Sequence, residues 1–179
     1  LTTAGNPVIS YRDNTNGDLR LAVCADASCA SSTIRTVDSA GNTGISTSLA
    51  LTTAGYPVVS YYNQANQDLM LAVCADATCS SSTIRTVDSA SHTGSYTSLA
   101  LTTAGNPVIS YRDNTNGDLR LAVCADASCA SSTIRTVDSA GSTGYYTSLA
   151  LTTAGNPVVS YYDFTKFHLK LAVCATRTC

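Results

Sequence analysis

The chain of 179 residues contains no glutamate and no tryptophan, and only 12% of its residues are charged. Lysine occurs only at Lys166 and Lys170, and the formal net charge is −2. So little charge, against the usual ~25%, and no basic patch argue against binding to nucleic acid or anionic membranes. No apolar run approaches the roughly 20 residues of a membrane span. Hydroxyl and amide side chains fill the polar positions, which is typical of a secreted protein.

A 50-residue repeat runs through the whole sequence. Leu-Thr-Thr-Ala-Gly begins at residues 1, 51, 101 and 151, and residues 1–50 differ from 101–150 only at positions 42, 45 and 46. Such self-similarity indicates a repeat architecture. Repeats 2 and 4 share Pro-Val-Val-Ser-Tyr-Tyr where repeats 1 and 3 have Pro-Val-Ile-Ser-Tyr-Arg, so a two-repeat period overlies the single one. The repeats are 1–50, 51–100, 101–150 and a partial fourth, 151–179.

The eight cysteines form four pairs, each with four residues between the partners. An even count, paired locally in every repeat, predicts one disulfide per repeat and an oxidising, extracellular compartment. Zinc is the alternative, but structural zinc takes four ligands, and His92 and His168 stand at non-equivalent positions. We therefore expect no metal and no other cofactor. The predicted disulfides are Cys24–Cys29, Cys74–Cys79, Cys124–Cys129 and Cys174–Cys179.

Each repeat unit contains four apolar segments without helical periodicity. Segment A covers residues 47–52, B covers 8–12, C covers 19–25 and D covers 33–37. Asn16-Gly17, between B and C, indicates a hairpin because both residues tolerate positive φ. Four short strands in this period predict an all-β, propeller-type array of four-stranded antiparallel blades with one disulfide per blade. A β-solenoid is the alternative, but it favours shorter coils and parallel stacking.

In this frame the first repeat lacks most of strand A, and the partial fourth repeat lacks strand D. Unpaired strand edges readily pair with other chains. We therefore expect either further chain or copies of the same chain to complete the end units.

The repeat unit resembles the repeats of sialidase-like propellers of secreted bacterial proteins, also called BNR or Asp-box repeats. The resemblance rests on residues 5–13 (Gly-Asn-Pro-Val-Ile-Ser-Tyr-Arg-Asp) and 17–19 (Gly-Asp-Leu), and on their equivalents in the other repeats. It implies a β-propeller. In that family the turn between strands C and D reads Ser-x-Asp-x-Gly-x-Thr-Trp. Here the turn lies inside the cysteine pair and keeps only the aspartate, as Asp26, Asp76 and Asp126.

Catalysis is not expected from these residues. A sialidase-like site would need an arginine cluster, a Tyr–Glu nucleophile pair and a carboxylic acid/base. Glutamate is absent, and most arginines recur at equivalent positions instead of breaking the repeat symmetry. A glycosidase is therefore the least favoured of the functions that we consider.

Two segments of the repeat are candidates for ligand binding. Asp13, Thr15 and Asp18 have the spacing of calcium ligands, but repeats 2 and 4 do not keep these oxygens, which favours a simple hairpin. The Tyr-Arg/Tyr-Asp segment offers an aromatic face and planar hydrogen-bonding groups, as sugar-binding sites do. Alternatively, its tyrosines fill space between blades and its arginines pair with aspartates. The glycan-binding candidates are Tyr11, Arg12, Asp13, Tyr61, Tyr62, Tyr111, Arg112, Asp113, Tyr161, Tyr162 and Asp163.

Positions 45 and 46 vary most among the repeats, reading Ile-Ser, Ser-Tyr and Tyr-Tyr in repeats 1 to 3. This variation reflects either drift on an exposed loop or the tuning of a contact. Together the patterns favour a non-catalytic extracellular structural or adhesive protein that is completed by further chain or by self-assembly into an oligomer or filament. A propeller lectin that binds glycans through the Tyr/Arg/Asp segments is the alternative function.

Overall fold

The computed structural model describes residues 1–90 and 92–179, and over these residues it consists of β-strands, turns and loops without a helix. The predicted all-β class is confirmed. The strands are β1 (Val8–Asp13), β2 (Asp18–Cys24), β3 (Ser32–Asp38), β4 (Ile45–Leu51), β5 (Pro57–Asn63), β6 (Asp68–Cys74), β7 (Ser82–Asp88), β8 (Thr93–Leu101), β9 (Pro107–Asp113), β10 (Asp118–Cys124), β11 (Ser132–Asp138), β12 (Tyr145–Leu151), β13 (Pro157–Asp163) and β14 (His168–Val173).

The strands form four antiparallel sheets in chain order. Sheet 1 contains β1 to β3, sheet 2 contains β4 to β7, sheet 3 contains β8 to β11 and sheet 4 contains β12 to β14. Strands β4, β8 and β12 correspond to the predicted segment A, and each lies at the end of the preceding sequence repeat. Every strand pair is antiparallel between chain neighbours, which is the opposite of the parallel stacking of a solenoid.

The predicted hairpin joins β1 to β2. Gly17 has a φ of 74°, and its N–H donates to the carbonyl oxygen of Asp13 at 2.8 Å. The Asp13 carboxylate accepts from the Thr15 N–H at 2.9 Å and from the Asn16 side chain at 2.8 Å. It therefore closes the turn as an Asx motif. Gln67 occupies the equivalent left-handed position in sheet 2 with a φ of 64°.

Each sheet has two apolar faces because side chains alternate along a strand. In sheet 1 the pairs Val8–Val23 and Ser10–Leu21, together with Leu19, define one face, which we name the leucine face. The pairs Ile9–Ala22 and Tyr11–Arg20 define the opposite face, which we name the tyrosine face. The same register recurs in the other sheets.

The core consists of leucine faces packed on tyrosine faces. Leu19 and Leu21 of sheet 1 pack on Val59 and Tyr61 of sheet 2, and all four side chains are fully buried. The leucine face of sheet 2 packs in the same way on sheet 3, and that of sheet 3 packs on sheet 4. One kind of contact thus joins all four sheets in series.

A threonine–glycine pair fixes the connection between successive sheets. The Thr43 hydroxyl is fully buried, accepts from the Leu19 N–H at 2.9 Å and donates to the Asp38 carbonyl oxygen at 2.9 Å. Gly44 has a φ of 78°, and a Cβ there would lie 2.9 Å from the Leu19 Cα. Glycine is required at this position because the chain crosses directly against strand β2. Thr93-Gly94 and Thr143-Gly144 repeat the arrangement.

The outer faces of the series are uncovered. On the leucine face of sheet 4, Leu169, Leu171 and Val173 are 81%, 63% and 67% exposed, whereas Leu19, Leu69 and Leu119 are fully buried. On the tyrosine face of sheet 1, Ile9 is 47% exposed, whereas its counterpart Ile109 is fully buried. The same residue types are therefore core side chains inside the series and surface side chains at its two ends.

Replacing Leu119 by alanine is expected to lower the free energy of unfolding by about 2–5 kcal/mol, because it leaves a cavity between sheets 3 and 4. Leu169→Ala removes the same side chain from the equivalent exposed position and should cost about 0.5 kcal/mol or less. Urea denaturation of both variants, at a concentration where the chain is monomeric, measures the difference. Equal losses would contradict the packing described for these two positions.

Candidate functional site

The four predicted disulfides are confirmed. Each joins cysteines five positions apart with Cα atoms 4.8–4.9 Å from each other. Inside the third loop, the Asp126 carboxylate accepts from the Ser128 N–H at 2.8 Å and from the Ser128 hydroxyl at 2.7 Å. The Ser128 hydroxyl, together with the N–H of Ala130, lowers the pKa of Asp126. The bridge and the retained aspartate therefore both fix this turn.

Removing one disulfide, with Cys124→Ser and Cys129→Ser together, should lower the free energy of unfolding by about 2 kcal/mol, because the loop is short. The order of the sheets should be unchanged, since the bridge closes a loop at one end of a single hairpin. Thermal unfolding, with far-ultraviolet circular dichroism of the folded variant, tests both parts. Loss of the β-sheet spectrum would show that the bridge holds the fold together.

The first tyrosines of the Tyr/Arg/Asp segments lie on the tyrosine faces. Tyr61 and Tyr111 are fully buried, and Tyr161 is 4% exposed. Each hydroxyl donates at 2.6 Å to an aspartate at the end of strand D in the preceding sheet; the pairs are Tyr61–Asp38, Tyr111–Asp88 and Tyr161–Asp138. Burial, and then the hydrogen bond to the aspartate, raises the pKa of Tyr111. These rings therefore have little solvent-facing surface, and a ligand-binding role for them stays a prediction.

In sheets 3 and 4 a basic side chain also contacts the aspartate that accepts the tyrosine hydrogen bond. Arg120 lies 3.3 Å from Asp88 of the preceding sheet and 2.9 Å from Asp113 of its own sheet. Lys170 bridges Asp138 and Asp163 at 2.9 and 3.0 Å. Its hydrogen bonds to these two carboxylates raise the pKa of Lys170. Asp113 and Asp163 thus each accept hydrogen bonds from their turn and contact a cation, and Asp13 does the same with its turn and with Arg20 at 3.5 Å.

The aspartates at the start of strand C differ from these carboxylates, and Asp118 faces Asp113 across the β9–β10 register as Asp18 faces Asp13 across β1–β2. Burial, and then the charge of Asp113, raises the pKa of Asp118. A carboxyl group whose pKa is raised by folding destabilises the native state above that pKa and ceases to do so when it is protonated. The Asp118 charge is therefore a cost to the fold at neutral pH.

Asp118→Asn is expected to raise the urea midpoint at pH 7, and the gain should disappear near pH 3, where Asp118 is neutral in both states. Asp126→Asn is the matched comparison, and it should lower the midpoint at pH 7, because the pKa of Asp126 is lowered by its hydrogen bonds in the folded chain. Urea titrations of both variants at pH 7 and pH 3 measure whether each substitution raises or lowers the midpoint. A gain from Asp118→Asn that persists at pH 3 would mean that charge is not its cause.

The arginines of the Tyr/Arg/Asp segments contact the connection that leads into the next sheet. The Arg12 side chain donates to the Asn42 side chain. Arg112 is 5% exposed, donates to the Thr143 carbonyl oxygen, and donates to the Ser142 hydroxyl at 3.0 Å. Arg112 thus connects sheet 3 to the chain segment that enters sheet 4. From the sequence, pairing with an aspartate was the alternative to ligand binding, and Arg112 does not make such a pair within the described residues.

Next to Arg112 lies a cavity of about 490 Å³ that is shared by sheets 2, 3 and 4. The Tyr62 ring stacks on His92 with centroids 5.8 Å apart. The Asn114 side chain donates to the Ser95 hydroxyl at 2.6 Å. Tyr62 is therefore the member of the predicted glycan-binding set that lines this cavity together with Arg112. Six of the lining residues are Tyr62, His92, Ser95, Tyr96, Asn114 and Tyr145.

One edge of the cavity continues into five neighbouring aromatic side chains, which we name the ring cluster. Its members are Tyr96, Tyr145, Tyr146, Phe164 and Phe167. The ring centroid of Tyr96 lies 5.3 Å from that of Tyr145 and 4.8 Å from that of Tyr146. The Phe164 centroid lies 5.5 Å from that of Tyr145 and 5.6 Å from that of Phe167. Tyr162, from the predicted set, contacts Phe164 at 6.2 Å. The sequence showed variation at positions 45 and 46, but only the structure brings the tyrosines there together with the β13–β14 turn.

Among the described residues, no group of three or more histidine, cysteine, aspartate or glutamate side chains could hold a metal ion. Within the same residues, no helix is long and apolar enough to cross a membrane.

No known family model matches the chain, and no curated protein matches it. Among solved structures, the chain is similar to an endo-1,4-beta-xylanase from Bacteroides thetaiotaomicron, with a TM-score of 0.50 and 11% sequence identity. The superposition covers 98% of this chain and 77% of that one. At this identity the similarity concerns the fold alone.

Proposed function

We propose that the protein is a non-catalytic extracellular structural or adhesive module, whose sheets are the blades of a propeller and whose uncovered faces join further repeats or copies of the chain. The observation that carries the proposal is the exposure of Leu169, Leu171 and Val173 on a face that is core in the other three sheets. Burying such side chains contributes about 25 cal/mol per Å² of apolar surface. The resemblance to sialidase-like repeats supports the same arrangement of blades.

The radial order of the strands supports the propeller arrangement. The Thr97 hydroxyl donates to the Ser46 carbonyl oxygen at 2.9 Å, and the Thr147 hydroxyl donates to that of Tyr96 at 2.8 Å, so successive A strands lie side by side. Strand D is the most exposed strand of sheets 1 and 2. Sheets that meet at strand A and open outwards toward strand D fit blades around an axis.

The two uncovered faces are complementary in sequence. The leucine face of sheet 4 has the same residues as that of sheet 2, namely valine at 58 and 158, leucine at 69 and 169, leucine at 71 and 171, and valine at 73 and 173. The tyrosine face of sheet 1 has the same isoleucine, tyrosine, arginine and alanine as that of sheet 3. A contact between sheet 4 and sheet 1 of another copy would therefore repeat the apolar part of the contact between sheets 2 and 3, although sheet 4, with three strands in the described residues, has no strand D to supply an aspartate for Tyr11. Head-to-tail contacts of this kind close into rings or extend into filaments.

The carboxylates favour a non-catalytic role because most of them have structural hydrogen-bonding partners. All twelve are aspartates, and most recur in one of three structural places: the B–C turn, the cysteine loop and the tyrosine contact. Glycosidase sites typically need a pair of acidic groups that converge in one pocket. The disulfides and the low charge favour an extracellular location.

The chain is expected to self-associate, and Leu171→Asp should weaken the association at least about tenfold by placing a charge on the leucine face. Ile9→Asp should act equally from the tyrosine face. Mixing the two variants should restore one-to-one pairs, because each keeps one intact face. Sedimentation velocity over a range of concentrations measures all three.

Ser81→Asp is the control, since it adds the same charge at an exposed turn of sheet 2 that lies on neither uncovered face. It should associate as the parent chain does. A parent chain that stays monomeric at every concentration, or variants that fail to recombine, would overturn the assembly proposal.

A further inference from the structure

The ring cluster is an exposed aromatic surface with no core function. Tyr146, Phe164 and Phe167 are 70%, 52% and 69% exposed. Tyr96 contacts Tyr146 edge-on at 4.8 Å, and Tyr145 contacts Phe164 at 5.5 Å. Contiguous exposed rings of this kind mark interaction sites more often than scattered apolar side chains do.

The tyrosines break the symmetry of an otherwise copied unit. Repeats 1 and 3 differ at three positions, and two of these differences place Tyr145 and Tyr146 where repeat 1 has Ile45 and Ser46. The backbone does not require the rings, because Ser46 has a φ of 52° and Tyr146 a φ of 51°. The left-handed conformation is unfavourable for a tyrosine. The backbone conformation therefore does not account for the aromatic side chains at this site.

Arg112 contacts the ring cluster through Tyr145. Its guanidinium is also hydrogen-bonded within the protein and is therefore not available to a ligand. Its guanidinium carbon lies 3.9 Å from the centroid of the Tyr145 ring. Its nitrogens donate to the Thr143 carbonyl oxygen, to the Ser142 hydroxyl at 3.0 Å and to the Asn114 side chain at 3.1 Å. A buried cation–π contact fixes the orientation of a ring. Since these donors are already used, the site offers little to a phosphate or carboxylate ligand.

Hydroxyl and amide groups lie beside the rings. The cavity adds the Ser95 hydroxyl and the Asn114 amide, along with the stacked pair Tyr62 and His92. Ligand sites typically combine apolar or aromatic walls with a few convergent polar groups. Nucleic acids need several basic side chains for their phosphates, whereas this surface has Arg112, whose donors are used, and one exposed lysine, Lys166, in the β13–β14 turn. The aromatic walls and the hydroxyl and amide groups instead suit a ligand with flat C–H faces and many hydroxyls.

We propose that the ring cluster and the adjoining cavity bind neutral oligosaccharides, whose sugar rings stack on Tyr96, Tyr145 and Tyr146 while their hydroxyls reach Ser95 and Asn114. The site lies at the junction of sheets 2, 3 and 4. It is therefore distinct from the outer faces that the assembly proposal uses, and it functions in a single copy of the chain.

The test titrates the chain with neutral hexasaccharides of glucose (β-1,4 and α-1,4), xylose, mannose and N-acetylglucosamine, and follows tyrosine fluorescence, which no tryptophan obscures. At least one sugar should bind with a dissociation constant of about 1 mM or tighter. The double variant Tyr145→Ile with Tyr146→Ser should weaken binding at least about tenfold. This variant restores the residues of repeat 1, whose backbone is the same, so it should fold normally.

Tyr56→Asn is the matched control, because Tyr56 is an exposed tyrosine outside the ring cluster and repeats 1, 3 and 4 have asparagine there. It should bind as the parent chain does, and Tyr146→Phe, which keeps the ring, should retain most of the affinity. Absence of binding by all the sugars, or binding that survives the double variant, would overturn the proposal. A double variant that instead alters sedimentation would identify the rings as a contact between copies and would equally overturn it.

Discussion

The structure depends on one repeated contact, the packing of a leucine face on the tyrosine face of the next sheet. The apolar part of this contact excludes water from both surfaces, and the hydrogen bond from the tyrosine hydroxyl to an aspartate at the end of strand D sets its register. A buried hydroxyl without such a partner would be destabilising, so sheets displaced from this position would lose more than apolar contact. Because one contact is used throughout, the series has two unlike ends whose apolar surfaces match each other, which is the physical basis for the proposed assembly.

The charged groups serve this architecture. Met70 occupies in sheet 2 the place that Arg120 and Lys170 occupy in sheets 3 and 4, so the cation is an optional addition to a tyrosine–aspartate pair that every contact within the series keeps. The side chains that differ most from repeat to repeat lie instead at the start of strand A, where the tyrosines of the ring cluster are located. A repeat protein gains a unique site only where the copies differ, and this is the place where repeats 1 and 3 differ most.

The class of fold was predictable because its signals are local. Alternating apolar segments and the Asn16-Gly17 turn predicted antiparallel strands, and the spacing of cysteines predicted each bridge. The fate of the Tyr/Arg/Asp segments was not predictable, because the partner of Tyr61 is Asp38, 23 residues away in another sheet. Arg12 and Arg112 likewise bond to residues 30 positions onward. Aromatic and planar polar groups look alike in a sequence whether they face solvent or a neighbouring sheet.

The sequence by itself determined the repeat length, the strands within each unit, the disulfides and the scarcity of charge, since each depends on residues close together in the chain. The tertiary structure alone decided which surfaces are core and which are free. Leu119 and Leu169 stand in the same local sequence pattern, and only the presence of a packed neighbouring sheet separates them. It also decided that tyrosines from two repeats and phenylalanines from a turn form one surface, because that proximity arises from the stacking of sheets and not from their order along the chain.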